Sequence, residues 1–267
     1  RKRTFEFMTS SLDFTLMSIV RRQGLERPDL PGFQALTPPR RTGRGRAQDK
    51  LIMHLALQGN APLSPKALHK LLDSLGQAYF KSAGSSTAAM RLVAESLNQS
   101  LFSRNQRGSS RGMRSLGIFS LAVFRNQFLF LAQCGSSHAF LIQSNGYQHF
   151  HDPSAVGRGL GMGRATPSQY YHAEVAPGSL LVITPSLPPA WNESLLRSLV
   201  GKPLEVVAAR LLAQADADLE AVIVQVEAGS GEMHTLPYDP AKASDIGRQP
   251  DLDPAQTGTE ISPVAPD

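Results

Sequence analysis

The sequence predicts an α+β fold, a four-layer αββα sandwich in which two antiparallel β-sheets are flanked by helices. Three observations predict it. Apolar strand-like runs and amphipathic helices alternate in an order typical of this layering. Short turn signals join several strands as antiparallel neighbours. The 267 residues, of which 41% are hydrophobic, are enough for one globular core with tails.

The first half of the chain predicts two strands and two helices. The segment FTLMSIV, residues 14–20, predicts a strand, and the compact apolar run LIMHLAL, residues 51–57, predicts a buried one. Ser64 followed by Pro65 is typical of a helix N-terminus, where a hydroxyl accepts a free backbone N–H. A second amphipathic helix is expected from about Ser86.

The second half predicts mainly strands. An antiparallel meander is expected because short turns separate apolar runs, among them the strong hairpin signal Asn145-Gly146. The strands of this meander are predicted at 116–124, 127–134, 137–143 and 147–150. A further strand, two short helices and a last strand are predicted at 179–185, 191–200, 203–214 and 219–227.

Three segments rich in glycine, proline or arginine are predicted to be loops. They are residues 21–50, 104–114 and 157–165. The last of them superficially fits a glycine-rich phosphate loop. However, Pro167 follows and no helix pattern starts, so a flexible connection is the favoured interpretation.

Charge and composition divide the chain into three parts. Residues 1–50 contain eleven Lys/Arg and five acidic residues, and form a basic strand and loop that is part of the domain or leads into it. Residues 51–230 are the predicted core. Residues 235–267 contain six prolines and few large apolar residues, which predicts a disordered tail or a linker.

The same composition indicates the cellular compartment in which the protein is expected. No apolar run approaches the ~20 residues needed to cross a bilayer. The single cysteine, Cys134, cannot form an intrachain disulfide, which suits a reducing cytoplasm. The chain begins with Arg1 and has no signal-peptide pattern, so a processed chain or a piece of a longer one is expected. We therefore predict a cytoplasmic domain, and membrane tethering by further sequence stays open.

The stretch QCGSSHAFL, residues 133–141, lies between two predicted strands. It resembles the metal-dependent PPM-type (protein phosphatase 2C-like) serine/threonine phosphatases, in which a Gly-Asp-Ser-Arg turn joins two strands. Here the turn is Gly135-Ser136-Ser137-His138. Weaker likenesses follow in the family's order, at GRGLGMG (157–163), VAPGSLLVITPSL (175–187) and DADLEAVIVQV (216–226). The resemblance covers roughly residues 50–227 and implies the αββα sandwich.

The resemblance also implies a site for two Mg²⁺ or Mn²⁺ ions, which Asp and Glu oxygens hold and whose bridging water attacks the phosphate. The sequence departs from that pattern. The expected Asp-Gly after the strand at 51–57 falls within Leu57-Gln58-Gly59. The other aspartate positions are occupied by Ser136, Ser179, Pro185-Ser186 and Ala217, with Asp218 one place from the last. One carboxylate cannot hold two cations, so we predict no catalytic, cofactor-binding or metal-binding residue.

Two other groups have residue types that carry chemistry. His149 and His151 with Asp152 could bind a borderline metal such as zinc, but a histidine pair facing solvent at a strand end is the favoured interpretation.

Cys134, Ser137 and His138 could supply a nucleophile and a base. Neighbours in a strand point to opposite faces, however, and no third orienting group is visible, so nucleophilic catalysis is disfavoured. Cys134 is expected to be a small buried apolar residue.

We therefore predict a catalytically inactive PPM-like domain, a pseudophosphatase. The resemblance implies a binding or regulatory scaffold with an unidentified protein partner in bacterial protein-phosphorylation signalling. One alternative is a divergent Mg²⁺- or Mn²⁺-dependent protein serine/threonine phosphatase. Its ligands would come from Asp13, Asp49, Asp216, Asp218 or the histidines His149 and His151. A second alternative is a module whose basic N-terminal arm binds nucleic acid or anionic lipid, although no aromatics interleave with the arm.

Overall fold

Two β-sheets face each other across an apolar core in the computed structural model, which describes residues 11–240. A further apolar core lies between each sheet and the helices outside it. The order of layers is therefore helix, sheet, sheet, helix, which confirms the predicted αββα sandwich.

Residues 11–240 contain twelve strands and four α-helices. The strands are β1 (Ser11–Arg22), β2 (Leu25–Arg27), β3 (Phe33–Leu36), β4 (Lys50–Gly59), β5 (Ser115–Arg125), β6 (Phe128–Cys134), β7 (His138–Gln143), β8 (Gly146–Phe150), β9 (Gln169–Glu174), β10 (Leu180–Thr184), β11 (Leu219–Gly229) and β12 (Met233–Leu236). The helices are α1 (Pro65–Lys81), α2 (Ser86–Gly108), α3 (Glu193–Arg197) and α4 (Leu204–Ala213).

The first sheet has the strand order β12-β1-β11-β10-β7-β8, with β2 paired to β1. The second sheet has the order β3-β4-β5-β6-β9. Helices α3 and α4 cover the first sheet, and α1 and α2 cover the second. Strand β1 pairs with β11 along its length and with β12 on its other side, so the N-terminal strand lies inside the first sheet.

Local signals set where the long helices begin. The Ser64 hydroxyl accepts the N–H of Ala67 at 3.3 Å, and Pro65 occupies the first turn of α1, as predicted. The cap of α2 is Ser85, whose hydroxyl accepts the N–H of Ala88 at 3.1 Å. Both helices then turn an apolar face toward the second sheet.

The predicted four-stranded meander is wrong at its centre. Strands β5 and β6 form one hairpin and β7 and β8 another, but β6 belongs to the second sheet and β7 to the first. Gly135, with a φ of 85°, lies in the turn that carries the chain across. A Gly-Ser pair indicates a tight turn, but it does not show which sheet the next strand joins.

Three short strands and one helix end also differ from the prediction. Strand β3 lies in the predicted loop 21–50, β9 follows the glycine-rich segment, and β12 lies at the start of the predicted tail. Such short runs carry little periodic signal. Helix α2 continues to Gly108, into the predicted loop 104–114, because Arg104 and Asn105 make tertiary hydrogen bonds from it.

A buried ion network fastens the loop before β4 to α1 and β5. The Asp49 carboxylate accepts hydrogen bonds from Arg125 Nε and Nη2 at 2.6 and 2.8 Å and from Tyr79 Oη at 2.7 Å. The fully buried Arg46 places Nη1 3.6 Å from Asp49 Oδ2. Its Nη2 donates to two carbonyls just before α2, at 3.1 and 2.7 Å.

Two buried asparagines of α2 fasten the glycine-rich loop. Asn105 Nδ2 donates to the carbonyls of Ser115 and Gly161 at 2.7 and 2.8 Å, and its Oδ1 accepts the Ser115 N–H at 2.9 Å. Asn98 Oδ1 accepts the Gly161 N–H at 2.7 Å. The loop predicted to be flexible is therefore held in place at Gly161.

Residues 235–240, at the start of the predicted tail, are part of the described fold. Thr235 and Leu236 lie in β12, and Tyr238 is buried against the first sheet with its Oη donating to Glu26 at 2.7 Å. The rest of the predicted tail, 241–267, and the first ten residues of the basic arm lie outside the described residues. Within residues 11–240, no helix is long and apolar enough to cross a bilayer.

Candidate functional site

The candidate site lies at the end of the sandwich where the chain crosses from β6 to β7. The β1–β2 hairpin, the end of β10 and the start of β11 reach the same end. In the strand registers Arg21 is opposite Leu219, and Thr184 is opposite His138. The segments that carry the PPM resemblance near residues 135–138, 185–186 and 216–218 therefore meet here.

A set of polar side chains lies between the two sheets at this end, and we call it the inter-sheet polar cluster. His54, Ser120 and Gln133 are neighbours across β4, β5 and β6. Ser137, from the crossing turn, shares a hydrogen bond with the Ser120 hydroxyl and lies 3.4 Å from Gln133 Nε2. Glu220 of β11 completes the cluster from the first sheet, with an oxygen 3.5 Å from His54 Nε2.

Charge pairing dominates the Glu220 end of this cluster. The Glu220 carboxylate contacts His54 on one oxygen and accepts a hydrogen bond from Arg22 Nη2 on the other. Burial acts to raise the pKa of the Glu220 carboxyl, but His54 and Arg22 outweigh it and hold that pKa below its ordinary value. Glu220 is therefore an ionised carboxylate with the Arg22 cation on one oxygen and His54 against the other.

A solvent-filled cleft of about 600 Å³ opens directly outside this pairing. Arg22, Arg27, Asp29 and Asp218 line it with parts of the loop that leads to β3. Asp218 Oδ1 accepts the backbone N–H of Gln23 at 2.6 Å, which holds the β1–β2 turn against the start of β11. The mouth of the cleft thus carries two arginines and two aspartates.

The residues at this end do not fit a dinuclear Mg²⁺ or Mn²⁺ centre. Two buried atoms of the cluster, His54 Nε2 and Gln133 Oε1, make no hydrogen bond within the described chain, and they are an imidazole nitrogen and an amide oxygen. Hard divalent cations need several carboxylate oxygens instead. Within residues 11–240, no three His, Cys, Asp or Glu side chains form a group that could hold a metal ion.

The sequence-predicted positions fall in different places. Ser136 lies in the crossing turn, and Pro185 and Ser186 follow β10 at the site end. Ser179 was expected to mark a lost ligand there, and this expectation is wrong. It lies at the opposite end of β10, where its hydroxyl donates to the Ala176 carbonyl at 2.7 Å as part of a turn.

The carboxylates of the divergent-phosphatase alternative do not come together. Asp13 Oδ1 accepts three backbone N–H groups of the β11–β12 turn, at 2.7–2.8 Å. Asp49 lies in the buried ion network, near the far end of the second sheet. Asp216 and Asp218 are exposed near the site, and only Asp218 lines the cleft.

Cys134, Ser137 and His138 lie in separate environments. Cys134 is fully buried against α1 and α2, and burial raises the pKa of its thiol to about 12. Ser137 points between the sheets, whereas His138 stacks near Phe140 on the helix-facing side of the first sheet. The arrangement provides no nucleophile with an adjacent base.

The predicted histidine pair does meet solvent, with His149 exposed and His151 half-buried, and it is also part of a stack of three. The ring centroids of His138 and His151 are 3.9 Å apart, and His138 Nδ1 lies 3.1 Å from His149 Nε2. His149 also stacks on Phe140, at 4.3 Å between centroids. Burial, followed by the charges of His151 and His149, lowers the pKa of His138 to about 4, so its ring stays neutral near pH 7.

We expect this stack to make the protein less stable in acid. The pKa of His138 is lower in the folded chain than in the unfolded one. The unfolded chain therefore binds more protons, and stability falls as the pH drops from about 6.5 to about 4. His138→Gln should flatten that slope. The loss of unfolding free energy across this pH range should shrink by on the order of 1 kcal/mol, a modest amount because solvent screens part of the stack. Urea unfolding across this pH range measures it, with the exposed His69→Gln as control. Equal slopes for all three proteins would contradict the expectation.

Sequence reasoning missed the residues that dominate the site. His54 and Glu220 are the polar residues in otherwise apolar inward-facing positions of β4 and β11. A polar side chain on the buried face of a strand needs a partner, and this signal was available in the sequence. Arg27 and Asp29 lie in the predicted loop 21–50, where no pattern distinguished them.

Comparison with known proteins identifies the fold. No family model and no curated protein sequence matches the chain. Solved structures do match. One is "PppA, a key regulatory component of T6SS in Pseudomonas aeruginosa", at 15% identity and a TM-score of 0.57, covering 80% of this chain and 97% of that one.

Two further structures are serine/threonine phosphatases. The S. agalactiae enzyme is 11% identical with a TM-score of 0.59, covering 81% of this chain and all of that one. The catalytic domain of PstP, solved with two manganese ions, is 14% identical with a TM-score of 0.58, and the match covers 81% of this chain and 100% of that one. The chain therefore has the fold of the PPM-type serine/threonine phosphatases.

Proposed function

We propose that this chain is a catalytically inactive form of the PPM-type fold, a pseudophosphatase, that acts as a binding or regulatory scaffold in bacterial protein-phosphorylation signalling. One observation carries the proposal. At the end of the sandwich that carries the PPM resemblance, His54 and Glu220 join the two sheets, Arg22 holds Glu220 within the first sheet, and the surrounding groups are hydroxyls and an amide.

The chemistry of these groups explains the proposed lack of activity. Hydrolysis of a phosphate monoester in this fold needs paired cations to activate water and to neutralise the phosphoryl oxygens. One oxygen of the Glu220 carboxylate already accepts a hydrogen bond from the Arg22 cation and the other contacts His54, so a metal ion would have to displace both. The side chains of Ser120, Gln133 and Ser137 bring no negative charge to replace it.

A regulatory role is consistent with the comparisons. PppA, which shares the fold, is described as a regulatory component of T6SS. A fold that keeps its sheets and helices but lacks the metal chemistry retains its surfaces for binding a protein partner. The single buried Cys134 is compatible with the cytoplasm, where we place this role.

We expect the full chain to release no phosphate from an aryl phosphate or a phosphoserine peptide in millimolar Mn²⁺ or Mg²⁺. Any background release should be unchanged by Asp218→Ala, at the mouth of the cleft, and by Asp216→Ala, a matched exposed control two residues away. Phosphate release measured against a protein-free blank tests this. Mn²⁺-dependent turnover that Asp218→Ala abolishes and Asp216→Ala spares would refute the proposal.

The divergent-phosphatase alternative remains the second candidate because of one observation. Asp29 and Asp218, from different segments, line the same cleft. If the cleft were a metal site, titration calorimetry with Mn²⁺ should give heat that Asp29→Asn and Asp218→Asn each remove. The absence of heat with the parent protein would eliminate this candidate.

The basic-arm alternative is weakened by how three of the arm's described arginines are used. Arg21 pairs with Glu26 at 3.0 Å, Arg22 pairs with Glu220, and Arg46 is buried beside Asp49. These arginines serve the fold and are not available as a continuous surface for phosphates.

A further inference from the structure

A groove with an apolar floor lies on the outer side of the second sheet, between α1 and the loop that follows β3. Its volume is about 570 Å³, and Leu36, Pro39 and Phe80 form part of its lining. Gly76 of α1 lies at its base, where a side chain would overlap that of Leu36. The groove is distant from the inter-sheet polar cluster, since it lies outside the second sheet rather than between the sheets.

The rim of this groove is positively charged. Arg40, Arg41 and Lys81 line it and are exposed, and none of them makes a hydrogen bond or an ion pair within the described residues 11–240. The acid at the rim, Asp73, accepts a hydrogen bond from Gln77 Nε2 at 2.8 Å. Three unpaired cations around an apolar floor fit a ligand that combines carboxylates with an apolar side chain.

The chain itself contains such a segment. Residues 251–267 include four acidic residues and no lysine or arginine. Within them, Asp251-Leu252-Asp253 places one large apolar side chain between two carboxylates. Opposite charges on the segment and on the rim would favour contact between them at moderate salt.

The length of chain between the described residues and the acidic segment sets how far that segment can reach within one molecule. Tyr238, near the end of the described chain, packs by the β2 and β12 edge of the first sheet. Five residues connect β2 to β3, the edge strand of the second sheet. The loop that lines the groove follows β3. Leu252 follows Pro240 by twelve residues. An extended segment of that length spans up to about 40 Å.

We propose that the acidic segment around Leu252 docks in this groove of its own chain, with Leu252 on the apolar floor and Asp251 and Asp253 beside Arg40, Arg41 and Lys81. The docked segment covers the groove. A partner carrying the same combination of carboxylates and an apolar side chain must displace it, at a disadvantage set by the high effective concentration of the tethered segment.

Site-directed spin labelling of the full chain tests the proposal. Cys134 is fully buried with a raised thiol pKa, so a cysteine introduced by Ala255→Cys is the reactive one. The label should show an immobilised component. Reversing the rim charge with Arg40→Glu and Arg41→Glu should remove most of it, as should Leu252→Ser. Arg44→Glu, a charge reversal of one arginine in the same loop but outside the groove, should leave it unchanged.

Further outcomes distinguish docking of the chain's own segment in the groove from docking of another molecule. An excess of a free peptide covering residues 245–257 should release the label in the parent chain. Loss of the immobilised component on dilution would overturn the proposal in favour of a second copy of the chain. A label that is mobile in the parent, or immobilised equally in all variants, would overturn it as well. None of these results depends on whether the cleft between the sheets is inactive.

Discussion

Replacing Asp49 with alanine is expected to lower the free energy of unfolding by about 3–5 kcal/mol, because it leaves buried cations without their partner. Asp49 and Arg46 are both fully buried, and Asp49 is the carboxylate that Arg46, Arg125 and Tyr79 share. Burial, and then Asp49, raise the pKa of Tyr79 above its ordinary value, so its hydroxyl stays protonated and donates to Asp49.

Urea unfolding of the full chain at neutral pH measures this loss. The control is Asp73→Ala, a less buried aspartate on α1 that accepts one exposed hydrogen bond, and we expect it to cost no more than about 0.5 kcal/mol. Asp49→Asn should be intermediate, since the amide oxygen still accepts one hydrogen bond but cannot neutralise Arg46. If Asp49→Ala and Asp73→Ala lowered the free energy of unfolding by the same small amount, the network would not stabilise the loop before β4.

Replacing Asn105 with alanine is expected to cost about 2–4 kcal/mol. The side chain makes three buried hydrogen bonds to the backbone of Ser115 and Gly161, and truncation would leave these backbone groups without partners. Because Gly161 anchors the glycine-rich loop, tryptic cleavage after Arg158 and Arg164 should also become faster.

Two measurements check the Asn105 prediction, namely urea unfolding and the rate of limited proteolysis. Gln106→Ala, the adjacent position with an exposed side chain, is the matched control and should change neither. Asn98→Ala should also accelerate cleavage, since Asn98 binds the same glycine from about two helical turns away. A destabilised Asn105→Ala protein whose loop is cleaved at the parent rate would show that the asparagine does not hold the loop.

Some elements were predictable because their causes are local. The hydroxyl of Ser64 and the ring of Pro65 act on the first turn of α1 alone, and the sequence places that helix correctly. Strands β4, β10 and β11 are long or uniformly apolar, so their burial follows from their own residues.

Other elements depend on partners far along the chain. Strand β12 exists because it pairs with β1, more than 200 residues away in sequence, and its own composition is weakly apolar. The crossing after Cys134 depends on which sheet has room for β7, which a turn signal does not encode. In the same way the role of Glu220 follows from His54, which only the packing of the two sheets brings to it.

The candidate site illustrates the same limit. That Ser136, Pro185 and Ser186 are not carboxylates can be read from the sequence, since this requires only position along the chain. What occupies the space between the sheets could not be read, because Ser120 and Ser137 meet only after the chain has crossed.

The pairing of His54 with Glu220 also has an evolutionary consequence. Replacing Glu220 alone leaves the buried His54 without its counterpart, and replacing His54 alone leaves the Glu220 carboxylate with Arg22 as its remaining partner. His54→Asp, for example, would set two carboxylates against each other. Because the two residues are in contact, the effects of substituting them are not expected to add. A substitution at position 54 is therefore tolerated or rejected according to the residue at position 220, which makes the pair an epistatic unit.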